Sequence, residues 1–483
     1  MTYAFTFDSS ACSGCKACQE ACKDKNQLPV GVLWRRVIEV SGGGWTRAGK
    51  AWTNNVFAYN LSLACNHCVH PKCAGVCPTD AYVTRPDGIV YIDSSMCMGC
   101  GYCLWACPYS APQYNPEQGQ MTKCNFCFDN IDADLPPACV AACPLRVLNY
   151  VSLTPALSPT GRGDGVRVLW EMPATEHPFP LPNNSRTEPH LEIKQHPAMS
   201  LPLKKTISNQ EEIRPKKQKS EITLVIFTLL AQMAIGGFWA AQWLFTPLWT
   251  LVEFDAWPLR LIPYLIIGAC LGAGGFFSFA HLGTKRNAWR ALTHLRKSWL
   301  SREILYVGLF GAGWLVSIAP LPWQVLRIAR ALTSLLGFGL VYSMARVYRL
   351  HTMVTWDTWR TPMNFFITTF LSGHLLMLNV LIIESYFTGI NLPPVFIGWL
   401  GGITVALLTG ELGLWLSAKE KIHETVDRLR VGLIAAAIVG AGIMSIAPKQ
   451  AWMWISLPIL LIVMVEEIIG RWLFYEALHR KAL

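Results

Sequence analysis

Sixteen of the chain's seventeen cysteines lie between Cys12 and Cys143, and their spacing restricts what this part of the chain can fold into more than any other feature does. They fall into four groups. These are Cys12, Cys15, Cys18 and Cys22 in CSGCKACQEAC; Cys65, Cys68, Cys73 and Cys77 in CNHCVHPKCAGVCP; Cys97, Cys100, Cys103 and Cys107 in CMGCGYCLWACP; and Cys124, Cys127, Cys139 and Cys143 in CNFCFDNIDADLPPACVAACP. Clustered cysteines in a small secreted domain imply disulfides, but these spacings are those of metal ligands. The first and third groups read C-x2-C-x2-C-x3-C, the run that holds 4Fe-4S clusters. Three thiolates on a tight loop cap three iron corners of one cubane, while the fourth begins a helix that points away and ligates a different cluster. Pro follows Cys77, Cys107 and Cys143 and directs the chain there; Lys23 follows Cys22 instead.

Because each fourth cysteine crosses over, the groups work in pairs. The second and third form one two-cluster, ferredoxin-like unit, and the first and fourth pair around it. The expected ligand sets are Cys65, Cys68, Cys73 and Cys107; Cys97, Cys100, Cys103 and Cys77; Cys12, Cys15, Cys18 and Cys143; and Cys124, Cys127, Cys139 and Cys22. The residues between Cys127 and Cys139 are then an inserted loop that leaves the ligand count intact. Zinc is the competing use of such thiols, but it prefers C-x2-C pairs far apart. No C-x-x-C-H occurs, so covalently attached haem is not expected. Nothing in this segment pairs a nucleophile with a base or forms a phosphate loop. Four clusters in series fit a relay between a two-electron donor and a two-electron acceptor, with no catalysis on the terminal substrate and no nucleic-acid partner.

The chain as a whole is 52% hydrophobic and 15% charged, too apolar for a soluble enzyme, and the apolar residues are concentrated. Residues 1–150 read as the α+β ferredoxin-like domain with four 4Fe-4S clusters. Residues 151–220, rich in Pro and charge, read as an extended segment lying on a partner, then a flexible basic tether around LKKTISNQEEIRPKKQKSE. Residues 221–483 read as an all-α polytopic membrane domain of eight transmembrane helices, from apolar runs near 222–245, 259–281, 303–319, 331–348, 363–383, 395–417, 431–447 and 451–470. Each approaches the roughly 20 residues that the hydrocarbon core requires. The start, MTYAFTFDSSACSGC, has neither a basic region nor an apolar core, so no signal peptide is expected.

Lys and Arg set the topology. With an even number of spans, one side carries Lys204, Lys205, Arg214, Lys216, Lys217, Lys219, Lys285, Arg286, Arg290, Arg296, Lys297, Arg302, Arg346, Arg349, Arg360, Lys419, Lys421, Arg428, Arg430, Arg471, Arg480 and Lys481; the other carries Arg260, Arg327, Arg330 and Lys449. The cysteine-rich domain is therefore expected on the cytoplasmic face of the inner membrane. A membrane partner for an electron relay is a quinone, whose oxidation from quinol also releases protons, so its site needs ionisable groups at membrane depth. With no redox cofactor inside the membrane, the quinone head has to sit near the face that carries the clusters. His281 ends the second span there and Glu303 begins the third, flanking HLGTKRNAWRALTHLRKSWLSREIL. Glu411, Glu466, Glu467 and most other intramembrane ionisable residues are expected in structural pairs, and the depths of His281 and His374 do not suit a shared haem.

The sequence resembles the iron–sulfur and membrane-anchor subunits of dimethyl sulfoxide reductase, fused into one polypeptide. FDSSACSGCKACQEACKD, NVFAYNLSLACNHC, CMGCGYCLWACPYSAPQYNPEQGQMTKC and CPLRVLNY carry the resemblance in the first half. HLGT, SREI, RVYRLHTMVTWDTWRTPMNFF and EEIIGRWLFY carry it in the second. The resemblance implies a separate catalytic subunit bearing a molybdenum bis-pterin-guanine-dinucleotide cofactor, menaquinol as donor, and a quinol site in the anchor. The family's quinol-site His and Glu match His281 and Glu303. A basic residue that the family uses just after HLG falls at or near Asn287, so Lys285, Arg286 or Arg290 has to take its place, and Arg286 and Arg290 join the candidates. The resemblance makes the chain a subunit of a respiratory complex of anaerobic metabolism that reduces S- or N-oxides. The same parts run in reverse would pass electrons from a molybdenum donor to quinone, and a zinc-stabilised membrane scaffold is the reading from another class.

Overall fold

The computed structural model describes residues 2–153, 166–168, 181, 187–201, 204–207, 222–242, 257–353, 355–389, 392–417 and 424–476. These form two compact units. One comprises residues of 1–219 together with 282–298; the other comprises residues of 220–281 and 299–481.

The first unit is built on two small sheets and on loops held between them. In one sheet β1 (Thr2–Asp8) lies antiparallel to β10 (Leu148–Leu153), with Thr2 opposite Leu153, and parallel to β12 (Leu191–Lys194), which in turn pairs with β11 (Val166–Val168). In the other, β2 (Arg36–Gly42) lies between β5 (Phe57–Leu63) and β13 (Lys205–Ile207). The period-2 alternation of strands turns Phe5 and Phe7 inward, where they join Val37, Ile38, Leu61, Phe126, Leu191 and Ile193 in one core. Burial of each such side chain contributes about 1.5–3 kcal/mol. The hairpin β3 (Trp45–Ala48) and β4 (Ala51–Asn54) is exposed on every residue. Two further hairpins, β6 (Tyr82–Thr84) with β7 (Val90–Ile92) and β8 (Gln113–Asn115) with β9 (Gln120–Thr122), follow the second and third cysteine groups.

The two compact units divide the chain between 219 and 220 and differ from the expected three-part division in two respects. Strands from the described parts of 151–220 belong to this unit, because their backbone N–H and C=O groups need neighbours: β12 finds them on β1, β11 on β12, and β13 on β2. Of the expected tether, residues 208–221 lie outside the described residues, as do Lys419, Lys421, Arg480 and Lys481. Residues 282–298, expected as a loop of the membrane domain, pack with the first unit.

The second unit is helical: α6 (Ile222–Ala240), α7 (Trp257–His281), α8 (Trp299–Ile318), α9 (Trp323–Tyr348), α10 (Arg360–Thr388), α11 (Pro394–Leu416), α12 (Glu424–Ile446) and α13 (Trp452–Glu476). Among the described residues seven helices are long and apolar enough to cross a membrane. The other long helix, α8, opens on the polar turn Ser301-Arg302-Glu303. Each expected apolar run overlaps one of these helices, but α9 and α12 begin earlier than 331 and 431. The apolar runs stop at Arg327, Arg330 and Arg430, whereas the backbone continues its hydrogen bonds past them, because a helix satisfies its own polar groups whatever side chains it carries. At the centre, Gly236 on α6 meets Gly373 on α10 backbone to backbone, and a Cβ at either would strike the other helix. Such small residues let membrane helices pack closely.

Candidate metal centres and quinol site

The cysteine loops owe their shape to residues that accept left-handed backbone. Gly14 (φ +71°) and Lys16 (φ 60°) bend the first loop, His67 (φ 41°) the second, Gly99 (φ +72°) and Gly101 (φ +78°) the third, and Phe126 (φ 62°) the fourth. The third cysteine of each group then enters a short helix: α1 (Ala17–Lys25), α2 (Lys72–Val76), α3 (Tyr102–Ala106) and α5 (Ala138–Ala141). In the fourth group the insert after Cys127 opens with one further turn, α4 (Phe128–Ile131), before the chain returns to Cys139. A helix rises ~1.5 Å per residue, so the fourth cysteine, four residues on, lies about 6 Å further along. That offset lets one turn serve two neighbouring centres. After Cys77, Cys107 and Cys143 comes Pro and then, three residues past the cysteine, a left-handed residue: Asp80 (φ 52°), Ser110 (φ 50°) and Arg146 (φ 53°). In the first two, the next amide returns to the sulfur, Ala81 N to Cys77 Sγ at 3.4 Å and Ala111 N to Cys107 Sγ at 3.5 Å.

The thiols converge in four sets. Cys12, Cys15, Cys18 and Cys143 line one cavity. Cys65, Cys68, Cys73 and Cys107 line a second, with His67 and Lys123 beside them. Cys77 and Cys97 lie close enough to act on Cys100 and Cys103. Cys127 and Cys139 act on Cys22, and Cys22 and Cys127 act on Cys124. In each set the fourth member comes from another group, as a crossover of the last cysteine requires.

The donor set fits an iron–sulfur cubane on two grounds. Further N–H groups point at sulfur, His67 N to Cys65 Sγ at 3.5 Å and Phe126 N to Cys124 Sγ at 3.4 Å, as negatively charged sulfur requires. The sets are also too wide for a single zinc: a Zn–S bond of about 2.3 Å in tetrahedral geometry brings sulfurs to within about 4 Å of one another. Among the described residues no three of these sulfurs lie within 4.8 Å of one another. Burial pushes the Cys22 thiol up to about 12, and a bound metal centre is what would stabilise it as a thiolate.

Residues 282–298 bind the backbone around the set containing Cys77 and Cys97. Thr284 N donates to Met98 O at 3.0 Å, Ser298 Oγ to Val76 O at 2.8 Å, and His294 Nδ1–H to Cys77 O at 2.7 Å. Asn287, 9% exposed, donates its amide to Ser95 O and to Cys97 O, each at 2.9 Å. Position 287 thus holds a neutral donor that caps two carbonyls, where a cation would leave its charge buried. Lys285 and Arg286 are exposed, and Arg290 stacks on Trp289 at 4.9 Å. No periodicity or spacing points to Asn287, His294 or Ser298; only the length and charge of the loop mark it as unusual. Asn287→Ala is expected to cost about 1–3 kcal/mol by leaving two carbonyls uncapped, read as a lower unfolding midpoint of the first unit, whereas Arg286→Ala leaves it unchanged.

In the second unit, His281 ends α7 with 6% exposure, and its Nδ1 shares a 3.0 Å hydrogen bond with Thr223 Oγ1 on α6. Glu303, 4% exposed, lies near enough for its charge to act on Tyr348 of α9 and Tyr475 of α13, whose hydroxyls are 2.5 Å apart. The tyrosines were not among the expected site residues. Of the other intramembrane ionisable groups, Arg430 holds Glu411 at 2.6 Å and Glu466 at 2.5 Å, while Glu467 and Arg471 bond to neutral partners: Thr368 donates to Glu467 at 3.0 Å, and Arg471 donates to Gln232 at 2.8 Å. His374 donates from Nε2 to Leu400 O at 3.1 Å.

Residues 217–477 match the family model described as DMSO reductase anchor subunit (DmsC), and residues 56–153 match a 4Fe-4S dicluster domain. Over 214 residues the chain is 42% identical to YnfG of Escherichia coli (strain K12), a probable anaerobic dimethyl sulfoxide reductase component, covering 44% of this chain and 98% of that protein. Over 148 residues it is 50% identical to the B component of anaerobic dimethyl sulfoxide reductase from the same organism, covering 31% and 72%. Over 128 residues it is 44% identical to the formate dehydrogenase iron–sulfur subunit of Wolinella succinogenes, covering 26% and 59%.

Proposed function

This chain belongs to the dimethyl sulfoxide reductase family as an electron-transfer iron–sulfur subunit and a membrane-anchor subunit in one polypeptide, and from that premise we propose that it takes electrons from menaquinol and delivers them to a separate molybdopterin subunit that reduces dimethyl sulfoxide or a similar S- or N-oxide. Each of the four thiol sets holds a 4Fe-4S cluster in this reading. Such clusters, when bound, accept and release one electron at a time. The chain's own residues do the rest.

His281 and Glu303 bind the quinol head and take its protons at the imidazole and the carboxylate. Thr223 fixes the His281 ring through Nδ1. Tyr348 and Tyr475 place a bonded pair of hydroxyls beside Glu303. Arg286 and Arg290 lie on the loop that follows His281 directly, and they are assigned to hold the membrane face and the approach of the quinol. The observation that carries the proposal is that loop. It leaves α7 at His281 and enters α8 at Trp299, and in between it is hydrogen-bonded to the carbonyls of Cys97 and Cys77. Chain continuity therefore links the proposed quinol residues to one particular thiol set, which we assign as the entry point for electrons. The excess of Lys and Arg on one side supports a cytoplasmic position for the thiol sets.

The test is composition. The purified complex is expected to contain about 16 iron and 16 acid-labile sulfide per chain, four of each for every cluster, and to copurify with a molybdenum-containing large subunit. Four zinc and no sulfide would overturn the reading.

A further inference from the structure

Two of the cations buried inside the first unit each stand between two thiol sets. Arg35 is 1% exposed and lies over the Phe5 ring at 4.4 Å. Its Nη1 donates to Ser62 O at 3.2 Å and to Ser62 Oγ at 3.1 Å, and that hydroxyl is 3.2 Å from Cys18 Sγ. Its Nε and Nη2 have no hydrogen-bond partner among the described residues. The thiols that act on it are Cys18 of one set and Cys22, Cys124 and Cys139 of another. Lys123 is 3% exposed. Its Nζ is 3.3 Å from Cys65 Sγ and donates to Cys124 O at 3.1 Å and to Val90 O. It feels Cys65 and Cys73 of one set and Cys124 of another.

The remaining junction, between the sets containing Cys73 and Cys77, holds a neutral group instead: the buried Tyr82 phenol, with Cys73, Cys77 and Cys103 around it. Arg36, also buried, acts on the single thiol Cys107.

A buried cation without an anion is costly, and a buried donor without an acceptor is rare. Arg35 has both features. The ligand that resolves them is anionic, rich in weak acceptors and placed against Arg35 from two sides, as two sulfur-liganded clusters are. We propose that Arg35 and Lys123 are potential-setting residues, each shared by two adjacent clusters, with the cluster of Cys22, Cys124, Cys127 and Cys139 touched by both. This rests on the reading that the thiol sets hold iron–sulfur clusters. Reduction adds one electron to a cluster and neither forms nor breaks a bond to either residue. A fixed positive charge therefore stabilises the reduced form, and its removal lowers the midpoint potential. Arg35 and Lys123 act through the cysteines and are positioning residues in this sense.

The experiment is a redox titration of the intact complex followed by electron paramagnetic resonance, with iron content measured on the same samples. Arg35→Met and Lys123→Met are each expected to lower two of the four midpoint potentials by at least tenfold in the reduction equilibrium, about 59 mV for a one-electron couple. One of the shifted clusters is common to both variants. Arg35→Gln and Lys123→Gln, which keep a donor but no charge, shift the same clusters in the same direction and serve if a Met variant does not assemble. Arg35→Lys and Lys123→Arg retain the wild-type potentials. Neutral variants with full iron content and unshifted potentials, or with all four shifted alike, overturn the proposal. A wild-type complex without iron–sulfur signals overturns the cluster reading instead.

Discussion

Membranes carrying His281→Ala are expected to retain every iron–sulfur signal yet to reduce those clusters with a menaquinol analogue at least ~100-fold more slowly than wild type, the scale of losing one positioned proton acceptor. Dithionite, which needs no quinol site, reduces them at the normal rate. The effect is large because His281 is buried at the end of α7 and fixed by Thr223, so no exposed neighbour replaces it. Glu303→Gln keeps the shape and removes the proton acceptor, and it gives a similar loss. Thr223→Val frees the ring and costs about tenfold. Wild-type reduction kinetics in His281→Ala would remove the assignment and leave the cluster wiring untouched.

The largest stability effect is expected at Arg430. Its guanidinium meets Glu411 at 2.6 Å and Glu466 at 2.5 Å, and the carboxylate side chains are only 1% exposed. Arg430→Met leaves both buried carboxylates without their cation, which costs about 3–5 kcal/mol when one partner of a buried pair is removed. The measurement is the thermal unfolding of the detergent-solubilised protein. Adding Glu411→Gln and Glu466→Gln to Arg430→Met is expected to restore most of the loss, since the penalty belongs to the stranded charges. Arg428→Ala, at an exposed i,i+4 pair with Glu424, shows about 0–1 kcal/mol. An equal drop at both positions would mean that the buried trio is not a charge pair.

The approach of Cys22 and Cys77 to thiols of other groups follows from covalent spacing, since a cysteine four residues after another on a helix is carried away from its own loop. The membrane helices were legible because lipid demands long apolar runs, although Arg327 and Arg330 hid the true start of α9. Non-local pairing was not legible. Nothing within LEIK at 191–194 says that it inserts beside β1, and nothing in KRNAW says that Asn287 caps Cys97 O. Each depends on carbonyls supplied nearly two hundred residues away. Arg35 and Lys123 were missed for the same reason: a lysine next to a cysteine reads as surface charge until its neighbours in space are known.

The exchange of each group's last cysteine has a consequence for how the protein is made. A ribosome delivers the chain from its amino end, and Cys12, Cys15 and Cys18 emerge long before Cys143, the residue that completes their quartet. Cys22 waits likewise for Cys124, Cys127 and Cys139. The two quartets that close first in synthesis are those completed at Cys103 and Cys107, in the middle of the segment. The quartets of thiols therefore become complete from the inside outward, and the carbonyls of Cys77 and Cys97 lack these partners until residues 282–298 have been made. A chain interrupted before that point leaves Cys97 O and Cys77 O without these partners, so the first unit is complete only once the first two membrane helices have been made.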